Sequence, residues 1–303
     1  MAFHIFVATA AFLLLPEKAL AWGAGIHLEV GNFVLENMGR LPVALRTLLS
    51  AHPHDFLYGC ISADITLGKK FTHYLQHCHS WRMGRKILDK SVTDQQKACA
   101  LGYFCHLGAD TVAHSYYVPF KMVRTFNTVL LKHTYWEMRY ESMVRPQTWQ
   151  KARELANKDF SENDRLMRSV LSETLFSFAT NKRLFNSIML VSRLEQWQKV
   201  LKSYSETSKW ALEKDAREYL ELAQQASLST LADMEESPYL RADPTGERAI
   251  NAAKMIRKNL NLLWLDGKLP EQEGIQIVRG FKKHFRESIT RPDLLLEMLS
   301  EEV

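Results

Sequence analysis

Three side chains that can bind metal ions recur every four residues in one segment of the chain. They are His106, Asp110 and His114. On an α-helix this spacing stacks all three on one face. The two histidines then lie about 12 Å apart along the helix axis, at roughly 1.5 Å per residue. Because that separation is too long for both to bind one ion, we expect Asp110 to bridge two ions.

A second pair of the same kind follows downstream. His133 and Glu137 are also four residues apart, in a segment whose pattern predicts a helix. Zinc binds imidazole nitrogen and carboxylate oxygen, and both side chains of this pair would lie on one face. Two helices with this spacing predict a metal site with several ions rather than separate histidines.

The first residues have the pattern of an export signal. Residues 5–15 form a short apolar run, Pro16 lies in the polar break that follows, and Ala19-Leu20-Ala21 matches a small-residue cleavage site. The run is shorter than the about 20 apolar residues needed to span a bilayer. Residues 1–4 lack the usual Lys or Arg, and the alternatives are an uncleaved anchor or a buried first helix. We expect cleavage of residues 1–21 and a secreted or periplasmic protein.

Cleavage after Ala21 would make Trp22 the first residue of the mature chain. A free α-amine and the carbonyl oxygen of the same residue can chelate an ion, to which His27 can add an imidazole. With these features the sequence resembles the zinc-dependent phospholipase C family, whose wider relatives include trinuclear zinc nucleases that act on single strands. The mature proteins of that superfamily begin with a Trp whose amine and carbonyl bind zinc.

The resemblance covers about residues 22–140 and implies up to three zinc ions. It assigns the first ion to Trp22 and His27, the second to Asp64, His79 and His106, and the third to His114, His133 and Glu137, with Asp110 bridging the first two. His77 is the alternative to His79, because both lie on one short segment. We expect Asp64 to be the catalytic residue that orients or deprotonates the attacking water, besides any role in zinc binding.

Two positions depart from the family pattern. The spacing between Asp110 and His114 is two residues shorter than in the best-known phospholipases and nucleases, which bears on the geometry of the third ion. Ile65 stands where choline-preferring enzymes have an aromatic residue. The resemblance therefore does not imply a preference for choline.

The composition predicts an all-α fold. The 303 residues include only 13 Gly and 9 Pro, and apolar residues recur with helical periodicity along most of the chain. We expect a multi-helix bundle of phospholipase C/nuclease type. Its zinc-binding catalytic core would span residues 22–160, and residues 161–303 would form a C-terminal helical region packed on the core or extending it.

Charge and cysteine content leave several alternatives open. The net charge of +5 fits an anionic substrate or a membrane surface, and it lacks the concentrated stripe of a nucleic-acid binder. Residues 254–269 and 278–291 interleave basic and apolar side chains, as does a membrane-surface helix or an ordinary amphipathic helix. The four cysteines fit either disulfides or buried free thiols.

The sequence therefore predicts an exported zinc-dependent phosphodiesterase of phospholipase C type. It would hydrolyse phospholipids at a membrane surface to diacylglycerol and a phospho-headgroup, with no obligate protein partner. One alternative is a single-strand-specific zinc nuclease or nucleotidase, favoured by the nuclease-like spacing between Trp22 and His27. Nucleic acid is a partner only in that case. A non-catalytic, metal-stabilised binding protein is the other alternative.

Overall fold

The computed structural model describes residues 22–65, 77–128, 133–171, 177–192, 213–295 and 297. Within these ranges the chain forms helices joined by short connections, and no β-strand occurs in them. The prediction of an all-α fold is confirmed. The predicted export signal, residues 1–21, lies outside the described residues.

The helices of the described ranges are numbered in chain order. In order, they are α1 (Ala24–Glu36), α2 (Val43–Ala51), α3 (Pro53–Ser62), α4 (Trp81–Asp89), α5 (Asp94–Val112), α6 (Val118–Arg124), α7 (His133–Glu141), α8 (Pro146–Ala156), α9 (Ser161–Val170), α10 (Phe178–Ser192), α11 (Glu213–Ala232), α12 (Glu247–Leu265) and α13 (Glu271–Ser288). Short 3₁₀ turns lie at Met38–Arg40, Ala63–Ile65 and Pro238–Arg241, and a π-helical turn, Ala113–Tyr117, joins α5 to α6.

Helix α5 is the central element of the fold. It begins with a capping box, in which the Thr93 hydroxyl accepts from the Gln96 backbone N–H and the Gln96 side chain accepts from the Thr93 N–H. Every residue from Ala98 to Val112 is buried. A helix that is buried on all sides needs neighbours on all sides, and α1, α3, α4 and α11 supply them.

The closest of these contacts is between α3 and α5. A Cβ atom at Gly59 would lie 2.0 Å from the Cys99 carbonyl oxygen, and one at Gly102 would lie 2.0 Å from the Phe56 carbonyl oxygen. No side chain fits at either position, so the two backbones touch. This contact places the C-terminal end of α3, including Cys60, directly against α5.

The helical segment that contains the motif continues past Pro119. A proline in this position predicts the end of the helix that begins at Asp94. In the structure Pro119 lies in the first turn of α6, directly after the π-helical turn. Proline lacks a backbone N–H and is tolerated in the first turn of a helix. The wider π-helical turn interrupts the regular hydrogen-bond ladder, so Pro119 fits without breaking the chain direction.

Two helix starts have a local cause. Pro53 is the first residue of α3, which places His54 in its first turn. Helix α4 begins at Trp81, where the Ser80 hydroxyl accepts from the Met83 backbone N–H. Residues 66–76 lie outside the described part of the chain.

Helices from the C-terminal half pack on the motif helices. The Ser227 hydroxyl of α11 donates to the Cys105 carbonyl oxygen of α5 at 2.8 Å, and α12 and α13 pack on α6. Cys105 and the other three cysteines are buried free thiols. Among the helices that the structure describes, none combines the length and apolar character that a membrane span requires.

Candidate metal centre

Five of the predicted ligands converge on one buried cluster. Asp110 lies at its centre: its Oδ2 is 3.1 Å from His106 Nε2 and 3.2 Å from His79 Nε2. Its Oδ1 is 3.3 Å from His27 Nε2. Asp64 contributes Oδ1 at 3.2 Å from His79 Nε2. Each of these five side chains is at most 2% exposed.

Four separate segments supply the cluster. His27 lies on α1, Asp64 on the 3₁₀ turn after α3, His79 just before α4, and His106 with Asp110 on α5. The glycine-mediated contact of α3 with α5 brings the Cys60 carbonyl oxygen to 2.8 Å from His106 Nδ1. That carbonyl accepts the Nδ1 proton, which leaves Nε2 directed into the cluster as an acceptor. A fixed tautomer of this kind is typical of metal-binding histidines.

His77 and His79 differ in burial and in the contacts of their rings. His79 is buried, and its Nε2 lies 3.1 Å from His106 Nε2. His77 is half-buried, and its Nδ1 accepts from the His79 backbone N–H at 3.1 Å. This contact uses one His77 nitrogen to fix the backbone of the segment, while the His79 ring lies within the cluster. The geometry favours His79 as the ligand.

The cluster has the donor atoms that zinc prefers. Both ring nitrogens of His27 and both carboxylate oxygens of Asp110 are buried without a well-oriented hydrogen-bond partner among the described residues. Buried polar atoms are rarely left without partners, and imidazole nitrogen with carboxylate oxygen is a zinc donor set. One zinc-sized group of donors comprises His27, Asp64 and His106, and an overlapping one comprises His79, His106 and Asp110. The residues present fit zinc.

Charge in the cluster is set by burial and by mutual contacts. Burial opposes ionisation of Asp110, but the His106 and His27 rings outweigh it and hold its pKa well below the usual value. Burial also opposes protonation of His106, yet the Asp110 and Asp64 carboxylates raise its pKa. Burial lowers the pKa of His27, and the charge of His106 lowers it further. An ionised carboxylate beside a neutral imidazole is the form that binds a metal ion.

A second group of predicted ligands lies on α7 and the π-helical turn. His114 Nε2 is 3.7 Å from Glu137 Oε1, and both side chains are buried. Burial raises the pKa of Glu137 to about 8. His114 lowers this pKa, whereas the negative charges of Asp110 and Asp64 raise it further. The Asp110 charge therefore acts on this pair too. His133 begins α7, but its side chain lies outside what the structure describes.

The C-terminal half of the chain supports His114. Its Nδ1 donates to the Pro244 carbonyl oxygen at 2.7 Å. Gly246 follows with φ +57°, and a Cβ atom there would lie 2.4 Å from both the Cβ and the carbonyl oxygen of His114. Only glycine combines that backbone conformation with so close an approach. This contact with His114 was not predictable from the sequence, although Asp243-Pro244-Thr245-Gly246 has the composition of a turn.

Helix α7 also fixes the segment that contains Trp22. The Trp22 indole is fully buried, and its ring centroid lies 5.1 Å from that of Tyr140. Next to it, Glu141 accepts from the Gly25 backbone N–H at 2.8 Å and from the Ile26 N–H at 3.3 Å. Burial raises the pKa of Glu141 to about 7, against the effect of these two hydrogen bonds.

Glu141 was also missed in the sequence. A Cβ atom at Gly23 would lie 2.4 Å from the Glu141 Cδ, so the carboxyl group fills the space directly beside the first turn of α1. Its position four residues after Glu137 on the same helix face was the available signal. Glu141 therefore anchors the residues between Trp22 and His27.

Comparison with known proteins identifies the family. The family model described as zinc dependent phospholipase C matches residues 26–184, just over half of the 303 residues. No curated protein and no solved structure matches the chain. The matched range contains every predicted metal ligand except Trp22. The chain belongs to the zinc-dependent phospholipase C family.

Proposed function

We propose that the protein is a zinc-dependent phosphodiesterase that hydrolyses phospholipids to diacylglycerol and a phospho-headgroup. The observation that carries this proposal is the buried cluster around Asp110, in which three imidazole Nε2 atoms lie within 3.3 Å of one carboxylate. Such a concentration of donors needs a cation to be stable in a buried site. Membership of the zinc-dependent phospholipase C family supports the class of substrate.

Each residue has a distinct part in this proposal. His27, His79, His106 and Asp110, with Asp64, would hold two ions, and His114 with His133 and Glu137 would hold a third. Bound zinc supplies a Lewis acid for the phosphate oxygens and lowers the pKa of a bound water from about 15.7 toward 7. Backbone groups orient the ligands: the Cys60 carbonyl fixes His106, and the Pro244 carbonyl fixes His114.

Asp64 is the proposed catalytic residue. It is buried within the cluster, and its Oδ1 lies 3.2 Å from His79 Nε2. In the proposed step the water oxygen attacks phosphorus and the Asp64 carboxylate takes the water proton. The bond between phosphorus and the glycerol oxygen breaks, and that oxygen leaves as the alcohol of diacylglycerol after gaining a proton from solvent. Positioning of this kind contributes to catalysis only when the base lies within hydrogen-bond reach of the water.

Export and domain organisation are part of the same proposal. Removal of residues 1–21 would free the α-amine of Trp22, and the protein would act outside the cytoplasm or in the periplasm. We propose a catalytic core over residues 22–160. The Pro244 and Gly246 contacts with His114 support a C-terminal region that completes the site rather than a separate domain.

A two-substrate assay tests the proposed function. We expect mature protein to release phospho-headgroup and diacylglycerol from mixed phospholipid vesicles and to leave single-stranded DNA intact. A chelator should abolish the release and zinc should restore it, because the ligands are the proposed source of catalysis. Faster cleavage of DNA would establish the nuclease alternative. Bound zinc without turnover of either substrate would establish a non-catalytic binding protein.

The assignment of His79 gives a matched pair of variants. We expect His79→Ala to lower zinc content and to reduce kcat/KM by at least about 100-fold. Substitution of residues that only support a metal ligand typically lowers metal affinity or activity by about 10- to 100-fold, and loss of the ligand itself should lower it further. His77→Ala should keep its zinc and lose much less activity, because His77 contacts the backbone of the segment. Metal analysis and steady-state kinetics of both proteins decide the matter. An inactive His77 variant beside a normal His79 variant would reverse the assignment.

A further inference from the structure

Exposed apolar side chains are concentrated in residues 247–288, the consecutive helices α12 and α13 with the turn between them, called here the hairpin. Of nine large hydrophobic side chains that are well exposed among the described residues, six lie within this segment. They are between 41% and 65% exposed and comprise Met255, Leu262, Leu263, Trp264, Leu265 and Ile275. Single exposed apolar residues are ordinary, but a group of this size on two consecutive helices marks an interaction surface.

Helix α12 has two different faces. Ala249, Ala253 and Ile256 belong to the buried face, which packs on the core. Met255 and Leu262 lie seven residues apart, which places them on the opposite, exposed side. The ordinary amphipathic packing of this helix therefore accounts for its buried face only. The exposed apolar side chains, called here the hairpin patch, remain unexplained by the fold.

The hairpin also carries a net charge of +4, beside +5 for the whole chain. Residues 247–288 contain nine Lys and Arg against five Asp and Glu, an excess of four in a chain whose net charge is +5. Lys254 and Lys258 lie on α12 among the exposed apolar residues, and Arg279 and Lys283 are exposed on α13. Their long apolar stems let such side chains lie over lipid while the charge reaches the phosphate layer.

We propose that the hairpin patch docks on a phospholipid surface that contains anionic headgroups. This inference rests on the proposed function, because it supplies the surface from which the substrate would be taken. Met255, Leu262 and Leu265, which share the free side of α12, would enter the boundary between headgroups and acyl chains, and the neighbouring lysines would contact lipid phosphates. A helix with apolar and basic side chains on its free face lies in the plane of such an interface.

The position of α12 connects the patch with the metal centre. Its first turn follows Gly246, which touches His114, and its exposed face begins at Arg248 and continues to Leu265. If α12 lies flat on the membrane, its His114 end lies at the same surface as its patch end. Docking would thus hold the centre beside its substrate.

Vesicle binding measured apart from turnover tests the proposal. The mature zinc protein is sedimented with vesicles of phosphatidylcholine phosphonate analogues, with and without the phosphatidylglycerol analogue. Their carbon–phosphorus bond replaces the bond to be cleaved, so the surface stays intact. We expect Leu262→Glu/Leu265→Glu to weaken binding by about tenfold or more, because buried apolar area drives interfacial binding. Lys254→Glu/Lys258→Glu should weaken binding to the anionic vesicles by a similar factor.

Matched controls separate the patch from exposed residues in general. Val43 and Val92 are 68% and 81% exposed on other segments, and Val43→Glu and Val92→Glu should bind vesicles normally. All variants should hydrolyse a soluble short-chain phospholipid at the unaltered rate. Normal vesicle binding by the Leu262/Leu265 variant would overturn the proposal. The proposal would also fail if the unaltered protein were a dimer in sedimentation equilibrium and the Leu262/Leu265 variant a monomer. If neither soluble nor vesicle lipid is hydrolysed but patch-dependent binding persists, the proposed function fails and the docking surface stands.

Discussion

Replacement of Asp110 by alanine is expected to abolish hydrolysis and to remove more than one zinc ion per chain. Asp110 is fully buried, and its two oxygens face three different histidine rings. We propose that a carboxylate in that position would bridge two ions, so its loss should release the ions on both sides. Because a catalytic metal contributes several kcal/mol to the transition state, kcat/KM should fall by about three powers of ten or more.

Asp110→Asn separates the charge of Asp110 from its volume, and variants of Thr111 and His114 serve for comparison. Asp110→Asn keeps the shape but replaces the anion with a neutral amide, and it should lose zinc as Asp110→Ala does. Thr111→Ser changes the next buried residue on α5, whose hydroxyl bonds to the Leu107 carbonyl within the helix, and it should keep both zinc and activity. His114→Ala should lose only the ion on its side. Loss of a single ion from Asp110→Ala would show that Asp110 is a terminal ligand.

The features that were predictable from sequence are those with a local origin. Four-residue spacing placed His106 and Asp110 on one face of α5, because helical geometry alone decides which side chains share a face. The same periodicity, extended over the chain, predicted the all-α fold. Asp64 and His79 could be assigned only through the family resemblance, since nothing in their local spacing brings them to α5.

The π-helical turn could not be predicted from spacing. An ideal helix would stack His114 above Asp110, but the chain widens at Ala113–Tyr117. There His114 contacts Pro244, 130 residues later in the sequence. The π-helical turn and this tertiary contact coincide at His114, and neither follows from the four-residue spacing. The short Asp110–His114 spacing that departs from the family pattern lies at this turn.

The groups that orient the predicted ligands could not be identified from the sequence for another reason. The Cys60 and Pro244 oxygens that fix the histidine rings belong to the backbone, and any residue type can supply them. Glu141 bears a recognisable side chain, but its partners are the backbone N–H groups of Gly25 and Ile26. Motif spacing identifies ligands, whereas the groups that orient them depend on the packing of distant helices.

Trp22, the proposed first residue of the mature chain, gives the second large expected effect. Until Ala21 is removed, the nitrogen of Trp22 is an amide, whose lone pair is delocalised into the peptide bond. Cleavage converts it to an α-amino group with a pKa of about 7.7–8.0. Zinc can displace its proton, and the amine then chelates the ion together with the Trp22 carbonyl oxygen. Signal cleavage is therefore expected to be an activation step.

The surrounding contacts leave little freedom for this segment to adjust. The Trp22 ring is packed on Tyr140, and Glu141 holds the amides of Gly25 and Ile26. A protein that begins at Trp22 should thus present its amine in a fixed position beside His27. One extra alanine before Trp22 should displace that amine while the folded helices stay intact, so kcat/KM should fall by at least about tenfold, the lower range for disturbed metal sites.

One preparation can supply both states. Protein with the extra alanine is assayed for zinc and lipid hydrolysis, treated with an aminopeptidase that stops at Trp22, and assayed again. Before trimming, the ions on His106 and His114 should be retained and the ion on Trp22 and His27 should be weakly bound. Trimming should restore that ion and the rate together, because the only bond changed is the one that blocks the amine. Equal zinc content and equal rates before and after trimming would show that the Trp22 amine takes no part in the metal centre.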